Sequence, residues 1–238
     1  AKVMSLIGPE NVVAKGKSLG IESDLEPVLS LALGVSDVSV YELVGAYSAF
    51  ANGGTWTKPF YISRIENKNG EILQNFVPQQ KQALSEQDAY LMLHMLQGTV
   101  EETGGTAGSL NWRWQLTKGD NEVGAKTGTT QNYSDGWFMG VTKDLVAGVW
   151  VGGDDRAIHF PSIKYGQGAY MALPIWAKFM TSVYDNDSLG YERGAFKKPR
   201  RPLNVTLDCS KYGLNNADSL LQKKLDSLKV TLDEDDIM

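Results

Sequence analysis

The sequence is poor in the residues on which several kinds of chemistry depend. It contains one cysteine, Cys209, and two histidines, His94 and His159. A single cysteine excludes a disulfide within the chain, and the lack of a Cys/His cluster argues against a zinc site or a histidine-based triad. Any catalysis by this chain must therefore use hydroxyl groups, lysine or carboxylates.

Long apolar runs and a surplus of basic residues are also missing. No apolar run approaches the roughly 20 residues that cross a bilayer, and no signal peptide begins at Ala1. The formal net charge is -5, which provides no general attraction to nucleic acid. We therefore expect neither a nucleic-acid partner nor contact of this chain with a membrane. With 238 residues, 42% of them apolar, it can form one large domain or two small ones.

Capping signals predict two helices in the first part of the chain. Pro9 and Gly20 bound a short helix over 10–19. Ser39 and Glu42 have the spacing of a capping box, and an apolar face follows them up to the Asn-Gly-Gly sequence at 52–54. These signals are local, so they predict where the helices begin and end without reference to the rest of the fold.

Two further helices are predicted by composition. The first begins at Ser85, and because residues 89–96 are apolar nearly all round, we expect it to be buried on most sides, with His94 packed and hydrogen-bonded rather than catalytic. The second spans 169–184, with Pro174 either at its start or kinking it.

Five short runs have the character of strands. Runs 60–66 and 71–76 are joined across an Asn-Gly pair, which favours a hairpin. Runs 123–130, 137–142 and 145–151 are joined by connections too short for a parallel return, so they must be antiparallel. The expected fold class is α+β, with an antiparallel sheet flanked by helices.

One predicted strand carries polar residues where apolar ones would pack better. Lys126 and Gly128 face one way, and Thr127 and Thr129 face the other. An edge strand that uses lysine against unwanted pairing explains part of this pattern. It does not explain Gly128, which weakens a strand and usually marks the close approach of a ligand or of another backbone. Lysine, two hydroxyls and an accessible strand edge together favour the binding of a carboxylate.

The sequence Lys-Thr-Gly-Thr-Thr at 126–130 resembles the Lys-Thr-Gly motif of penicillin-binding proteins and serine β-lactamases. The surrounding sequence is similar to that of class A, bifunctional penicillin-binding proteins, in order from about residue 1 to about residue 200. The similar segments include 46–54, Asp-Gly-Trp-Phe at 135–138 and Ala-Leu-Pro-Ile-Trp at 172–176.

This resemblance implies a D,D-transpeptidase of cell-wall synthesis that needs no cofactor. A serine attacks the penultimate D-Ala carbonyl of a peptidoglycan stem peptide, and the acyl group then passes to an amine; β-lactams mimic the donor and trap the serine. By resemblance, Lys126, Thr127 and Thr129 hold the substrate carboxylate and Lys126 supports proton transfer, with Gly128 and Thr130 in the same substrate-binding strand. The backbone N–H of Thr129 would be one of two oxyanion-hole donors.

Residues around the lysine motif are weaker candidates for the same cleft. Asn132, Tyr133 and Asp135 could contact substrate, although Asn and Asp also favour turns. The loop that contains Thr106 and the nearby Trp112 and Trp114 could line the cleft, with packing of the aromatic rings in the core as an equal alternative.

The family also uses Ser-x-x-Lys and Ser-x-Asn motifs upstream of the lysine strand. No serine of this chain has lysine three positions on, and Ser109 fits the second motif in its letters only. The resemblance therefore implies that 1–197 is the C-terminal part of a transpeptidase domain, inactive alone, and that 198–238 is a basic linker and an acidic tail. It further implies an upstream part of the same polypeptide with the nucleophile and a glycosyltransferase domain, anchored outside the cytoplasmic membrane by an N-terminal helix.

Two other interpretations remain open at this point. The lysine strand could belong to a non-catalytic module that binds peptide carboxylates or β-lactams by strand addition. A relative of β-lactamases or β-lactam sensors would share the lysine motif as well.

Overall fold

The computed structural model describes residues 2–208, and these fall into two compact units. Among the described residues, one unit comprises 2–38 with 201–208, and the other comprises 39–200. The acidic run at 233–236 lies outside the described residues, and the predicted boundary between 197 and 198 stays a prediction. No helix in the described part of the chain is long and apolar enough to span a membrane.

The unit that contains the N-terminal residues is built from short helices. Helices α1 (Lys2–Ile7) and α2 (Pro9–Ser18) are followed by a 3-10 helix at Leu29–Leu33. Pro9 occupies the start of α2, where its missing N–H costs no hydrogen bond. The predicted helix over 10–19 is therefore confirmed to within one residue at each end.

The larger unit opens with helix α3 (Val40–Ala51), whose start is the predicted capping box. The Ser39 hydroxyl accepts a hydrogen bond from Glu42 N at 3.2 Å, and a Glu42 carboxylate oxygen accepts one from Ser39 N at 2.9 Å. Strands β1 (Thr55–Thr57) and β4 (Gln80–Gln82) pair antiparallel after it. Between them, β2 (Arg64–Glu66) and β3 (Ile72–Asn75) form the predicted hairpin, shorter than expected.

Helix α4 (Glu86–Glu101) begins at its predicted cap, Ser85. Its environment differs from the prediction, because His94 is exposed and Met95 keeps 60% of its surface exposed. The expectation of a helix buried on most sides, with a packed His94, was therefore wrong. Only one side of α4 packs inward, through residues such as Leu93 and Leu96.

The central feature is a three-stranded antiparallel sheet in the order β5-β6-β7. Its strands are β5 (Gly124–Thr129), β6 (Asp135–Val141) and β7 (Val146–Gly152). Lys126 pairs with Met139 and Thr129 with Gly136. The short connections between consecutive strands, at 130–134 and 142–145, help to fix this register. The three strands and their antiparallel arrangement confirm the predicted α+β class.

Helices cover both faces of this sheet. Short helices α5 (Ser109–Trp112) and α6 (Ile163–Gly166) precede the long helix α7 (Gly168–Tyr184), which contains Pro174. Helix α7 lies on the face that carries Phe138 and Gly140, where the rings of Phe138 and Trp176 are 5.3 Å apart. Helices α3 and α4 pack on the opposite face, next to Gly148 and Gly124. The core between the sheet and α7 excludes water and fixes the strands from which the site is built.

Candidate functional site

The lysine motif lies on β5, which is an edge strand of the described sheet. The cross-strand register places Lys126 and Gly128 on the face covered by α3 and α4, and Thr127 and Thr129 on the face covered by α7. Lys126 and Thr129 are exposed, whereas Thr127 is half-buried. The fold therefore leaves a lysine and two hydroxyls along one strand at an open edge.

The backbone of β5 alternates between β6 and this open edge. Thr130 N donates to Asp135 O at 3.4 Å, which continues the ladder one pair beyond Thr129 and Gly136. Because bonded and non-bonded pairs alternate in an antiparallel ladder, the backbone N–H and C=O groups of Thr127 and Thr129 point away from β6. In agreement, the Ala125 carbonyl accepts a bond at 2.7 Å from the Thr99 hydroxyl, which lies on α4 rather than on β6.

The Lys126 ammonium lies against its own strand. Its Nζ donates to the Thr127 carbonyl at 2.6 Å. Although the residue as a whole is exposed, partial burial of the amine lowers the pKa of Lys126 below its usual value. A lysine with a lowered pKa in a polar site can bind an anion and can also exchange a proton more readily than a fully solvated one.

A loop from α4 brings another hydroxyl to the motif. The Thr106 and Thr127 hydroxyl oxygens are 2.9 Å apart, so one of them donates to the other. Gly105 permits this approach, because a Cβ there would lie 2.3 Å from the Thr99 carbonyl oxygen. The two tryptophans that were cleft candidates differ, since Trp114 packs against the core and Trp112 is 74% exposed.

Gly128 and Thr129 both contact the start of α7. The Thr129 hydroxyl accepts a bond from Gly168 N at 3.1 Å. A Cβ on Gly168 would lie 2.5 Å from the Gly128 carbonyl oxygen, and a Cβ on Gly128 would lie 3.0 Å from the Trp137 Cβ. The 3.0 Å contact with Trp137 therefore disfavours a side chain at position 128 independently of any ligand, whereas the contact with the Gly128 carbonyl requires glycine at position 168.

Thr130 organises the turn that follows the motif. Its hydroxyl accepts bonds from the backbone N–H groups of Ser134 and Asp135, each at 3.1 Å, and lies 3.0 Å from the Ser134 hydroxyl. This arrangement gives the Thr130 side chain a structural role in the turn. Its proposed contact with substrate therefore rests on the strand position rather than on a free hydroxyl.

The three candidate residues in this turn have different surroundings. Asn132 is exposed. Tyr133 has a positive φ of 54°, and its carbonyl accepts a bond from Phe160 N at 3.2 Å. Asp135 accepts a bond from Trp150 Nε1 at 3.2 Å. Asn132 and Tyr133 thus lie beside the end of β5, while the Asp135 carboxylate is directed to β7.

A cavity of about 360 Å³ lies away from the lysine motif. Its lining includes Tyr90 and the basic residues Lys197, Lys198 and Arg200, but no residue of β5. Arg200 forms an ion pair with Glu86, at 3.6 Å between Nε and Oε1. Arg200 therefore anchors the basic segment to the start of helix α4, while the basic side chains themselves stay exposed.

Several known proteins are similar to this chain in sequence and in fold. The family described as penicillin binding protein transpeptidase domain matches residues 9–153. Penicillin-binding protein 1A of Aquifex aeolicus (strain VF5) is 38% identical over 189 residues, which are 78% of this chain and 24% of that protein. Penicillin-binding protein 2D of Bacillus subtilis (strain 168) is 32% identical over 208 residues, 87% of this chain and 28% of that protein.

Solved structures agree at the level of the fold. Penicillin-binding protein 1A from Haemophilus influenzae superposes with a TM-score of 0.65 at 22% identity, covering 86% of this chain and 34% of that one. The PonA1 protein from Mycobacterium tuberculosis in complex with penicillin V gives a TM-score of 0.63 at 21% identity, covering 81% of this chain and 53% of that one.

The fold is that of penicillin-binding proteins, and the family match defines the class as penicillin-binding protein transpeptidase domains. The chain belongs to the penicillin-binding protein transpeptidase domain family, because the match covers more than half of its residues. It spans about a quarter of the length of the two curated relatives described above.

Proposed function

We propose that this chain provides the substrate-carboxylate receptor of a peptidoglycan D,D-transpeptidase. The donor is a stem peptide that ends in D-Ala-D-Ala, and the reaction is acyl transfer through a serine acyl-enzyme. Penicillin and other β-lactams would occupy the same receptor, because they carry a carboxylate next to a reactive amide. The PonA1 protein, which shares the fold, has been solved in complex with penicillin V, and this complex supports the assignment of ligand.

The observation that carries the proposal is the row of hydrogen-bond donors along the open edge of β5. Lys126 contributes an ammonium, Thr127 and Thr129 contribute hydroxyls, and the outward backbone N–H groups of these threonines lie along the same edge. Charge-assisted hydrogen bonds to a carboxylate are about twice as strong as neutral ones, so such an edge selects a peptide with a free C-terminus.

The backbone N–H of Thr129 is proposed as one donor of the oxyanion hole. It points away from β6, where the carbonyl of a peptide lying along the edge would come. In the tetrahedral intermediate the carbonyl oxygen gains negative charge, and a fixed N–H stabilises that charge more than it stabilises the ground state. Loss of one such donor in other enzymes lowers the rate by roughly 10²–10³.

Lys126 is proposed to act twice. Its ammonium attracts the carboxylate, and its lowered pKa increases the fraction of neutral amine that can take part in proton transfer. Nζ now donates to the Thr127 carbonyl at 2.6 Å, a bond that an arriving carboxylate would replace. Gly128 and Thr130 hold the strand and its turn in place around these groups.

The serine nucleophile is proposed to come from residues outside this chain, since none of its serines is followed by lysine three positions on. The receptor without the nucleophile is inert, so the 238-residue chain alone should show no transpeptidase activity and no acylation by β-lactams. The proposed partner is an upstream part of the same polypeptide that also carries a glycosyltransferase domain. The proposed location is outside the cytoplasmic membrane, with the whole protein anchored by an N-terminal helix.

A second candidate function uses the same edge without chemistry. An open strand edge with outward N–H and C=O groups can bind an extended peptide by strand addition, and Lys126 would then only select a C-terminal carboxylate. Binding and catalysis differ in one respect that can be measured, which is covalent labelling.

Labelling with a fluorescent penicillin tests the proposal. We expect no label on the 238-residue chain alone. The same chain joined to the polypeptide that the upstream part of its gene encodes should be labelled, and Lys126→Ala should abolish that labelling. Covalent label on the 238-residue chain itself would overturn the proposed inactivity. If the joined protein folds but takes no label, the non-catalytic binding function replaces the catalytic one.

A further inference from the structure

The first residue of α7 is bonded to the lysine strand across a large sequence separation. Gly168 N donates to the Thr129 hydroxyl oxygen at 3.1 Å, although 39 residues separate them. Gly168 is buried, while Thr129 is exposed. The hydroxyl therefore has one side fixed by the protein and another side directed to the surface.

This bond determines what the Thr129 hydroxyl can offer a ligand. A threonine hydroxyl has one hydrogen to donate and two lone pairs that accept. Gly168 N–H occupies a lone pair, so the hydrogen remains available at the exposed side. An accepted hydrogen bond also polarises the O–H group and makes it a better donor. The contact thus prepares Thr129 to donate to an anion.

Close packing explains why position 168 carries glycine. A Cβ there would lie 2.3 Å from the Trp137 carbonyl oxygen and 2.5 Å from the Gly128 carbonyl oxygen. Both distances are far shorter than a carbon–oxygen contact allows, so any side chain must move the start of α7 away from β5 and β6. That movement would lengthen or break the bond from Gly168 N to Thr129.

A second contact ties the same segment to the end of β5. Phe160 N donates to the Tyr133 carbonyl at 3.2 Å, and a Cβ on Gly166 would lie 2.5 Å from the Tyr133 Cβ. The chain from 160 to 168 is therefore held at Tyr133 and at Thr129, on either side of the turn after the motif. Displacement of Gly168 is then transmitted to the strand end rather than absorbed by a loose loop.

We propose that Gly168 is a positioning residue for the carboxylate receptor, because its N–H holds the Thr129 hydroxyl as a hydrogen-bond donor toward the substrate carboxylate. The inference rests on the proposed function of β5. Gly168 itself does not contact the substrate; it acts only through Thr129.

Peptide binding with matched probes tests this role. The probes are an acetylated Lys-D-Ala-D-Ala peptide with a free C-terminal carboxylate and the same peptide with a C-terminal amide. NMR titration of the 238-residue chain gives the ratio of the two affinities, which measures carboxylate recognition separately from general folding. We expect Gly168→Ala to lower this ratio about three- to tenfold and Thr129→Val to lower it by about tenfold or more, since a hydrogen bond to a charged group is being weakened or lost.

Gly140→Ala is the matched control. Its Cβ would lie 2.3 Å from the Trp176 ring, so it disturbs the same interface between sheet and α7 far from Thr129 in the strand register. We expect it to lower stability and to leave the affinity ratio unchanged. Thr129→Ser, which keeps the hydroxyl and its bond to Gly168, should retain most of the ratio.

The outcomes separate this inference from the proposed function. If the unmodified chain binds both peptides equally, the receptor function is rejected. If it prefers the carboxylate and Lys126→Ala removes that preference, the receptor stands; an unchanged ratio in Gly168→Ala, or an equal loss in Gly140→Ala, then overturns the role of Gly168 alone. Should Gly168→Ala fail to fold, equal ratios for Thr129→Val and the unmodified chain would overturn it too.

Discussion

The Trp150 indole donates a hydrogen bond to the Asp135 carboxylate across the sheet, at 3.2 Å between Nε1 and Oδ2. Gly152 makes this possible, since it pairs with Asp135 and a Cβ on it would lie 2.4 Å from the Trp150 ring. The other carboxylate oxygen, Oδ1, is buried and has no hydrogen-bond partner among the described residues. The bond from the indole N–H therefore helps to stabilise the Asp135 carboxylate at the start of β6.

Replacement of the indole should destabilise the sheet. Trp150→Phe removes the donor to the Asp135 carboxylate, and because this bond is exposed we expect the free energy of unfolding to fall by only about 0.5–1.5 kcal/mol. Urea unfolding measures the change. Trp112→Phe is the control, because that ring is 74% exposed and its loss should cost little. Equal effects of the two replacements would contradict the role of the Trp150 bond.

Local signals in the sequence predicted the elements of this fold well. The capping box at Ser39, the proline at the start of α2 and the Asn-Gly turn before Glu71 each act within a few residues, so the sequence alone is sufficient to find them. The pairing of β1 with β4 was not predicted, because its partners, such as Thr55 and Gln82, are far apart in the chain and polar.

Patterns were less informative about burial and about the surroundings of the site. The apolar letters around His94 indicated a buried helix, but a helix that packs on one side exposes some of them, here Met95. The motif at Lys126 was evident from its letters. The contacts of Thr106 with Thr127 and of Gly168 with Thr129 depend on loops that tertiary structure brings together, and no local signal marks them.

Asn121 connects the segment after α7 to the loop before β5, and its removal should be costly. The residue is 2% exposed; its amide donates to the Leu116 carbonyl and its oxygen accepts from Gly194 N at 3.0 Å. Asn121→Leu leaves Gly194 N without this acceptor and leaves the Leu116 carbonyl with only the 3.4 Å bond from Arg193 Nη1, so we expect a loss of about 1–3 kcal/mol in the free energy of unfolding.

Thermal or urea unfolding of two variants tests this connection. Asn121→Asp keeps the acceptor for Gly194 N but buries a carboxylate whose other oxygen faces the Leu116 carbonyl, so we expect a loss at least as large as in Asn121→Leu. Asn111→Leu, at an exposed asparagine, should change stability by less than about 0.5 kcal/mol. A loss in Asn121→Leu no larger than in Asn111→Leu would show that the connection contributes nothing.

Gly140 and Trp176 should be energetically coupled. A Cβ on Gly140 would overlap the Trp176 ring, and Trp176 Nε1 is buried without a partner among the described residues. Gly140→Ala should cost about 1–3 kcal/mol through overpacking. Because Trp176→Phe removes the overlapping part of the ring and no hydrogen bond, the double variant should be more stable than the sum of the single effects predicts, by about 1 kcal/mol. Strict additivity in a double-mutant cycle would contradict the contact.

Alkaline pH should weaken the larger unit through Tyr47 on α3. Burial raises the pKa of Tyr47 to about 12 from its usual 10.0, since the charged phenolate is poorly solvated there. The unfolded chain releases this proton near pH 10 while the folded chain keeps it, so the stabilising contribution is complete below pH 10 and is lost as the pH rises toward 12. Relative to Tyr47→Phe, the wild-type protein should lose about 1.4 kcal/mol of unfolding free energy between pH 8 and pH 11. Urea unfolding at the two pH values measures this difference.

Tyr61→Phe is the control, because that side chain is 91% exposed and its replacement should leave the wild-type loss unchanged. If wild type and Tyr47→Phe lose stability in parallel, the phenol of Tyr47 ionises as readily in the folded chain as in the unfolded one.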